Sequence, residues 1–505
     1  MIQNITKFTI KVLSSHKFIF VIIGLLVIQA LWFAFTAQYP MAFDEQYHFG
    51  FIQIYANQWL PFITSEPANT SAYGVLIHSN SYLFHYLMSF PYRIFAFFVS
   101  DQVSQIIFLR VINVAMFAGG IALFGRLLNR FNVSRSLINF ALLMMVLIPV
   151  VPFLAATINY DNLIFLFVPI FVGAALTCAK SILDSNKIPS SSFIILLSIG
   201  FAGSLTKNAF LPIFAGGIIY LLILWLRSHT KRKIISSIGK SFSVLKRPVQ
   251  IALVILLIMT AGLFIERYGG NLVTYHSLEP DCLDVKSFDS CMESGPWARN
   301  YQLENNVQVT NPPHNPSITA YPYFWVSELV RRLYFAINYD YSNIAPLPIA
   351  ISMARIVGAV GIVLALVFWR SIIRIDKRLL LLTFVIGFYL AGLFYINFTA
   401  FLKFHVGVAI NGRYLIPILP FMFVWMALGY RQLFQLLLRK RARNFMAIFS
   451  IVVLLLALQG GGAITYLVQS QPSWYWQNQP LVDFNTGLKD IVKPVIIGGS
   501  DPWSK

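Results

Sequence analysis

The sequence predicts an all-α polytopic membrane protein, and three observations lead there. The chain is 57% hydrophobic and only 11% charged over 505 residues, a composition outside the soluble range. Runs of about 20 apolar residues recur along it, each long enough to cross a bilayer as a helix, and together they give about 11 spans. The net charge of +19 is dispersed in short clusters between those runs, the pattern of a cytoplasmic membrane surface. A nucleic-acid partner would need the bases gathered on one solvated patch and is set aside.

Lys7, Lys11 and Lys17 precede the first apolar run, about Phe18 to Ala37. The run is longer than a signal-peptide core and no cleavage triplet follows, so it reads as an uncleaved first span with its N-terminus inside. Residues 39 to 80 then hold Asp44, Glu45 and Glu66 but no Lys or Arg, as expected of an outer segment. The next apolar run, Tyr82 to Val99, is interrupted by Pro91 and Arg93. Counting it as a span would put Arg126, Arg130 and Arg135 outside, so it reads as a helix lying in the outer interface.

The second span is then expected at 104–125, followed by spans near 136–156, 161–179, 191–206, 208–226, 248–266, 346–369, 378–401, 413–430 and 445–467. The C-terminus falls outside. In this topology the inner segments hold most of the Lys and Arg and, of the acids, Asp184 and Asp376 alone. The densest inner cluster, from Arg227 to Arg247, serves as an orientation signal. Residues 1–467 make one transmembrane domain, with an acidic outer loop at 39–103 and a large outer loop at 267–345 that is rich in Asn, Pro and Tyr, notably at 311–316. Residues 468–505 form an outer tail whose Trp474, Tyr475 and Trp476 suit a surface-hugging segment. Cys178 lies in an apolar run, whereas Cys282 and Cys291 share the large loop and can pair if it faces an oxidising compartment.

Candidate chemistry collects at the outer ends of spans. If residues 43–59 are helical, Asp44 and His48 share a face at i and i+4, with Glu45 turned roughly 100° away. A carboxylate there can accept a proton from an acceptor hydroxyl, or hold a divalent cation such as Mg or Mn that screens a phosphate leaving group. The competing reading is a solvated loop acid. Asp161, in the short turn Thr157-Ile158-Asn159-Tyr160-Asp161-Asn162, can face Asp44 across one cavity and complete a metal pair, or simply cap a helix as Asn159 also can. Lys207 sits between two apolar segments, where a cation needs the interface or a polar cavity; it suits a lipid phosphate or plain snorkelling. Arg110 is a second phosphate candidate. Arg413, followed by Tyr414, offers a planar fork matched to phosphate oxygens, against the alternative of an interfacial anchor. His78 and His85 can line the same cavity.

The ordered set Phe43-Asp44-Glu45-Gln46-Tyr47-His48, Ile158-Asn159-Tyr160-Asp161, Thr206-Lys207-Asn208 and Asn411-Gly412-Arg413-Tyr414-Leu415-Ile416-Pro417 resembles bacterial membrane proteins of the GT-C glycosyltransferase superfamily. The nearest likeness is to the predicted-membrane-protein family with a Pro-Asp-Glu-x-x-His start and a Gln-Gly-Arg-Tyr end, across about residues 18 to 430. Ala42 and Asn411 depart from that family's proline and glutamine, and a Lys-Pro-Pro-like signature of related lipid-sugar transferases is missing. The resemblance implies a GT-C-like bundle and a polyprenyl-phosphate-linked sugar donor used on the outer face. By position it makes Asp44 the catalytic base or metal-linked acid, with Glu45 beside it, Asp161 the second acid and Arg413 a contact to the donor phosphate.

The expected activity is therefore sugar transfer to an envelope lipid, glycan or protein acceptor at the outer face of the cytoplasmic membrane, with His48, Lys207, Arg413, Tyr414 and Arg110 binding substrate. A transporter or lipid flippase is the main alternative, although that class places ionisable residues near the bilayer midplane and often shows an inverted repeat. A non-catalytic envelope-assembly subunit is a third reading, which leaves the acids unused.

Overall fold

The computed structural model describes residues 2–63, 66–228, 231–305, 316–335 and 349–497, and among these the regular elements are all helices. The chain starts with α1 (Ile2–Ser14), an amphipathic helix that buries Thr6 and Leu13 while Ile5 and Phe8 stay exposed, as suits a helix lying flat at an interface. α2 (Phe18–Thr36) is apolar all round, and its buried line Ile22, Leu26, Ala30 and Phe33 faces the bundle. After the acidic loop, α3 (Glu45–Ala56) packs on α4 (Leu83–Phe98). Arg93 of α4 donates to the carbonyls of Tyr55 and Gln58, so α4 is tied to the end of α3, and it is not among the apolar helices of spanning length.

α5 (Gln102–Leu128) is a long apolar span capped by Asp101, whose carboxylate accepts from the Ser104 amide at 2.8 Å. α6 (Arg135–Val146) and α7 (Val150–Ala156) meet at a 71° bend next to Pro149, which cannot continue a helical hydrogen-bond ladder. α8 (Asp161–Ser185) packs on α5 and on the shorter α9 (Ser190–Thr206), and α10 (Phe210–Arg227) follows. The basic amphipathic α11 (Lys231–Ser243) is pinned beneath α9 by the Ile188 amide, which donates to Ser237 Oγ at 2.9 Å. α12 (Arg247–Phe264) runs through a π-turn into α13 (Gly270–Tyr275).

Beyond it, α14 (Cys282–Val285), α15 (Phe288–Met292) and α16 (Gly295–Glu304) form a small unit stapled by a Cys282–Cys291 disulfide. α17 (Tyr321–Phe335) completes what is described of the large loop; its Asn- and Pro-rich stretch at 311–315 lies outside the described residues. α18 (Ile349–Val367) bends by 75° into α19 (Trp369–Ile375), α20 (Leu379–Phe404) and α21 (Leu419–Leu438) are long apolar helices, and α22 (Ala442–Leu458) with α23 (Ala463–Gln469) makes the last span. Among the described residues eight helical stretches are long and apolar enough to cross a membrane, or ten with the two bent pairs, and α9 is a shorter apolar helix. The chain is a multi-pass helical membrane protein. Its helices pair α5 with α8, α10 with α20, and α18 with α21. The last pair needs Gly429, since a Cβ there would lie 2.7 Å from the Ala365 amide nitrogen.

Two expectations are corrected. The span expected at 413–430 begins at Leu419, because Asn411 accepts from the Arg413 amide at 3.0 Å and folds residues Gly412–Leu415 into a 3₁₀ turn ahead of Pro417 and Pro420. The tail expected at the surface enters the bundle: Trp474 and Tyr475 are 8% and 1% exposed. Their rings join a cluster with Trp32 and Tyr466, and Tyr475 bridges Ala37. α24 (Gln479–Ile497) follows, Asn485 accepting from the Trp32 indole at 3.0 Å.

Candidate functional site

Four short segments meet at one end of the bundle: the turn before α3, the turn before α8, the residue after α9, and the 3₁₀ turn before α21. The first departs from expectation. The helix expected from residue 43 starts at Glu45, because Phe43 and Asp44 both take the left-handed region at φ 72° and 66°. Bulky residues rarely do so, and such turns persist where surroundings over-determine them. Asp44 and His48 therefore do not share a helical face. Asp44, with its side chain 54% exposed, accepts from Arg413 Nη2 at 2.9 Å, while Glu45 and His48 point inward.

Glu45 and Arg110, expected as a catalytic acid and a phosphate contact, instead saturate one another. Arg110 Nε and Nη2 donate to the two carboxylate oxygens at 2.8 and 2.7 Å, with both side chains 0% exposed. Glu45 also accepts from the Met41 and Ile158 amides at 2.7 and 3.2 Å, so the about four acceptor positions of a carboxylate are occupied. Arg110 Nη1 donates to the Ala34 and Ala37 carbonyls. This pair rivets the end of α2, the acidic turn and the turn before α8 onto α5; nothing of it is left for a substrate.

Asp161 opens α8, its amide donating to Asn159 Oδ1 at 2.9 Å. Its Oδ1 accepts from Lys207 Nζ at 2.6 Å. Lys207 also lies 4.5 and 4.6 Å from the centroids of the Tyr160 and Tyr414 rings. Burial alone would lower the pKa of its ammonium group, but the Asp161 carboxylate and the two phenols outweigh this and hold it above the ordinary lysine range. Arg413 is buried between the acids, with Nη2 on Asp44 and Nε 3.9 Å from Asp161 Oδ2. That last distance is ionic but too long for a hydrogen bond. Arg413 Nε and Nη1 and Asp161 Oδ2 thus have no hydrogen-bond partner. The guanidinium stacks over Phe43 at 4.8 Å and Tyr414 at 5.3 Å. Gly412 is required beside it, because any Cβ would overlap the backbone of Leu333 in α17.

His48, expected to bind substrate, lies beneath the acidic turn at 4% exposure. Asn159 fixes its tautomer. Since Asn159 Oδ1 accepts from Asp161, its amide nitrogen must be the group facing the Phe43 carbonyl at 2.8 Å and His48 Nε2 at 3.1 Å. His48 Nε2 is then an acceptor, and Nδ1–H donates to His85 Nε2 at 2.8 Å. Burial first, then the neighbouring His85, Arg413 and Lys207, hold His48 well below the usual imidazole range, and burial pushes His85 down to about 3. His85 therefore reaches the site through His48, whereas His78 lies elsewhere, against the Tyr275 hydroxyl.

Asp44, Asp161, Lys207 and Arg413, drawn from distant parts of the sequence, are therefore in direct contact. The Arg413 guanidinium contacts both Asp44 and Asp161, the pair expected to frame a metal. Among the described residues no group of three or more His, Cys, Asp or Glu side chains could hold an ion. The sequence reading missed Asn159 as the tie between the two acidic turns, and Asn113, whose Oδ1 accepts from Asn162 at 2.9 Å. An asparagine inside an apolar span was the available signal. No family model matches the chain, and no curated protein or solved structure matches it either.

Proposed function

We propose that the protein is a membrane glycosyltransferase of GT-C type, moving a sugar from a polyprenyl-phosphate donor to an envelope lipid, glycan or protein acceptor. The face that carries Asp44 is outward in this reading, with the N-terminus inside and the C-terminus outside the cytoplasmic membrane. One observation carries it: a half-exposed carboxylate held by an arginine whose remaining donors, Nε and Nη1, are buried and unpaired. Buried donors without partners cost about 1–3 kcal/mol each, a cost that an incoming phosphate relieves.

The donor phosphate pairs with the Arg413 donors that are buried here without a hydrogen-bond partner, with the Lys207 ammonium next to it. Asp44 accepts the proton of the acceptor hydroxyl as its oxygen attacks the sugar's anomeric carbon. The bond from that carbon to the phosphate oxygen breaks, and its electron pair leaves with the lipid phosphate, whose growing charge Arg413 and Lys207 stabilise. Tyr414 and Phe43 fix the plane of the guanidinium. No step is routed through a metal, because Arg413 already contacts both Asp44 and Asp161.

The test incubates the purified protein with radiolabelled polyprenyl-phosphate sugars and envelope extracts. Transfer is expected from wild type and not from Asp44→Asn; undiminished product from Asp44→Asn would remove its assigned role. The bent pairs α6–α7 and α18–α19 favour a second reading, since discontinuous helices are a transporter feature. Asp44-dependent flux into proteoliposomes without chemical conversion would select it.

A further inference from the structure

The face of the bundle opposite the candidate site carries a separate cavity of about 270 Å³, lined by α1, the start of α6, the end of α21 and the start of α22. Arg431 and Arg443 both line it, together with the hydroxyl-bearing Ser134 and Ser136. Its other wall is apolar, formed by Ile10, Leu13 and Met446. The volume is many times the roughly 10–15 Å³ that one water occupies, so it takes a group larger than a bridging solvent molecule.

Basic side chains at the ends of spans need no ligand to explain them, because they orient a protein in its membrane. Two of their neighbours on this face are satisfied within the protein. Arg378 is paired with Asp376 at 2.7 Å, and Arg130 donates to the Gly173 carbonyl and Thr177 Oγ1. Neither Arg431 nor Arg443 forms an ion pair among the described residues. Arg431, half-buried, and Arg443, exposed, therefore line one partly open cavity without a counter-charge. A phosphate supplies that counter-charge and suits the planar fork of a guanidinium.

We propose that this cavity binds the phosphate of an anionic phospholipid from the adjoining leaflet. Charged and apolar walls side by side suit a headgroup joined to its acyl chains, and basic pockets between spans at a membrane surface take such headgroups. α1 forms the roof. Its exposed Ile5 and Phe8 would rest in the same leaflet, so that the bound lipid joins α1 to the bundle. The proposal is independent of the chemistry assigned to Asp44.

The full-length protein is placed in phosphatidylcholine nanodiscs with and without phosphatidylglycerol, and retained lipid is read by native mass spectrometry after extraction. Wild type is expected to retain phosphatidylglycerol, and R431Q/R443Q to lose it by about tenfold or more, as two basic contacts on that scale imply. R431K/R443K, which keeps the charge without the fork, should fall between them and shows that loss is not misfolding. The exposed pair Lys246 and Arg247 at the start of α12 provides the control, K246Q/R247Q, which should retain lipid as wild type does. A second arm adds inorganic phosphate to lipid-free protein: a rise in Tm in wild type but not R431Q/R443Q, without lipid retention, would support a phosphate site filled from solution. Equal lipid loss in the two glutamine pairs, or no loss and no phosphate effect, overturns the proposal.

Discussion

Replacing Glu45 by Gln separates structure from catalysis most sharply. The substitution keeps the side chain's shape and removes its charge, leaving Arg110 fully buried without a counter-ion. Removing one partner of a buried ion pair costs about 3–5 kcal/mol, and both members here are 0% exposed. The Met41 and Ile158 amides would also face a neutral acceptor in place of a carboxylate, which weakens bonds of a charge-assisted kind. At about 1.4 kcal/mol per decade, this shifts the unfolding equilibrium by roughly two to four orders of magnitude. Asp44→Asn contrasts with it: Asp44 is the half-exposed partner, an Asn oxygen can still accept from Arg413, and Arg413 keeps the Asp161 carboxylate at 3.9 Å, so the cost should be smaller. Thermal unfolding in detergent should therefore show a large fall in Tm for Glu45→Gln and a small one for Asp44→Asn, while transfer is abolished by Asp44→Asn. Pairing Glu45→Gln with Arg110→Met should recover part of the lost stability, since no buried charge then remains. A Glu45→Gln protein of wild-type Tm and no activity would refute the assignment and restore Glu45 to the reaction.

Three further outcomes follow from the same contacts. His48 and His85 are held neutral below their ordinary range, so between their folded and unfolded pKa values the unfolded chain binds the extra protons. Stability must then fall as pH drops below about 6.5, by about 1.4 kcal/mol per pH unit for each imidazole, and Tm profiles of His48→Gln and His85→Gln should each show about half the wild-type slope. Arg413→Lys keeps the charge but loses the fork that holds Asp44 and carries the donors left without a hydrogen-bond partner, and a loss of about 10²-fold or more in kcat is expected with the chain still folded. Gly412→Ala drives a methyl group into the Leu333 backbone, and overpacking of this kind should cost about 1–3 kcal/mol, measurable as a lower Tm together with reduced activity.

What the sequence made legible follows from how the bilayer acts on a chain. Hydropathy is summed over about 20 residues and survives local irregularity, so the expected spans have helical counterparts. A break inside a span, as between α6 and α7, hardly changes the sum and could not be located. The shared face of Asp44, Asp161, Lys207 and Arg413 was readable for the same reason: each lies at the end of a span, and alternating crossings dictate which ends coincide. The tail was misread because its tryptophans and tyrosine are equally at home at an interface or in an aromatic core, and only the Trp32–Tyr466 cluster decides between them.

Within the site, the division of labour between neighbouring acids depends on backbone angles that composition does not reveal. Nothing in Ala42-Phe43-Asp44-Glu45 announces two successive left-handed residues; no glycine is present to invite them. Helical geometry from residue 43 would have set Asp44 and His48 on one face. The left-handed turn instead sends Asp44 toward Arg413 and delivers Glu45 to Arg110. Asn159 holds that turn, through the Phe43 carbonyl, to the segment that starts α8. Its own amide orientation is fixed by Asp161, so the two acidic motifs are positioned by one side chain. The exposed acid is thus set in place by a buried one that it adjoins in sequence, and substituting either without this distinction would conflate lost folding with lost chemistry.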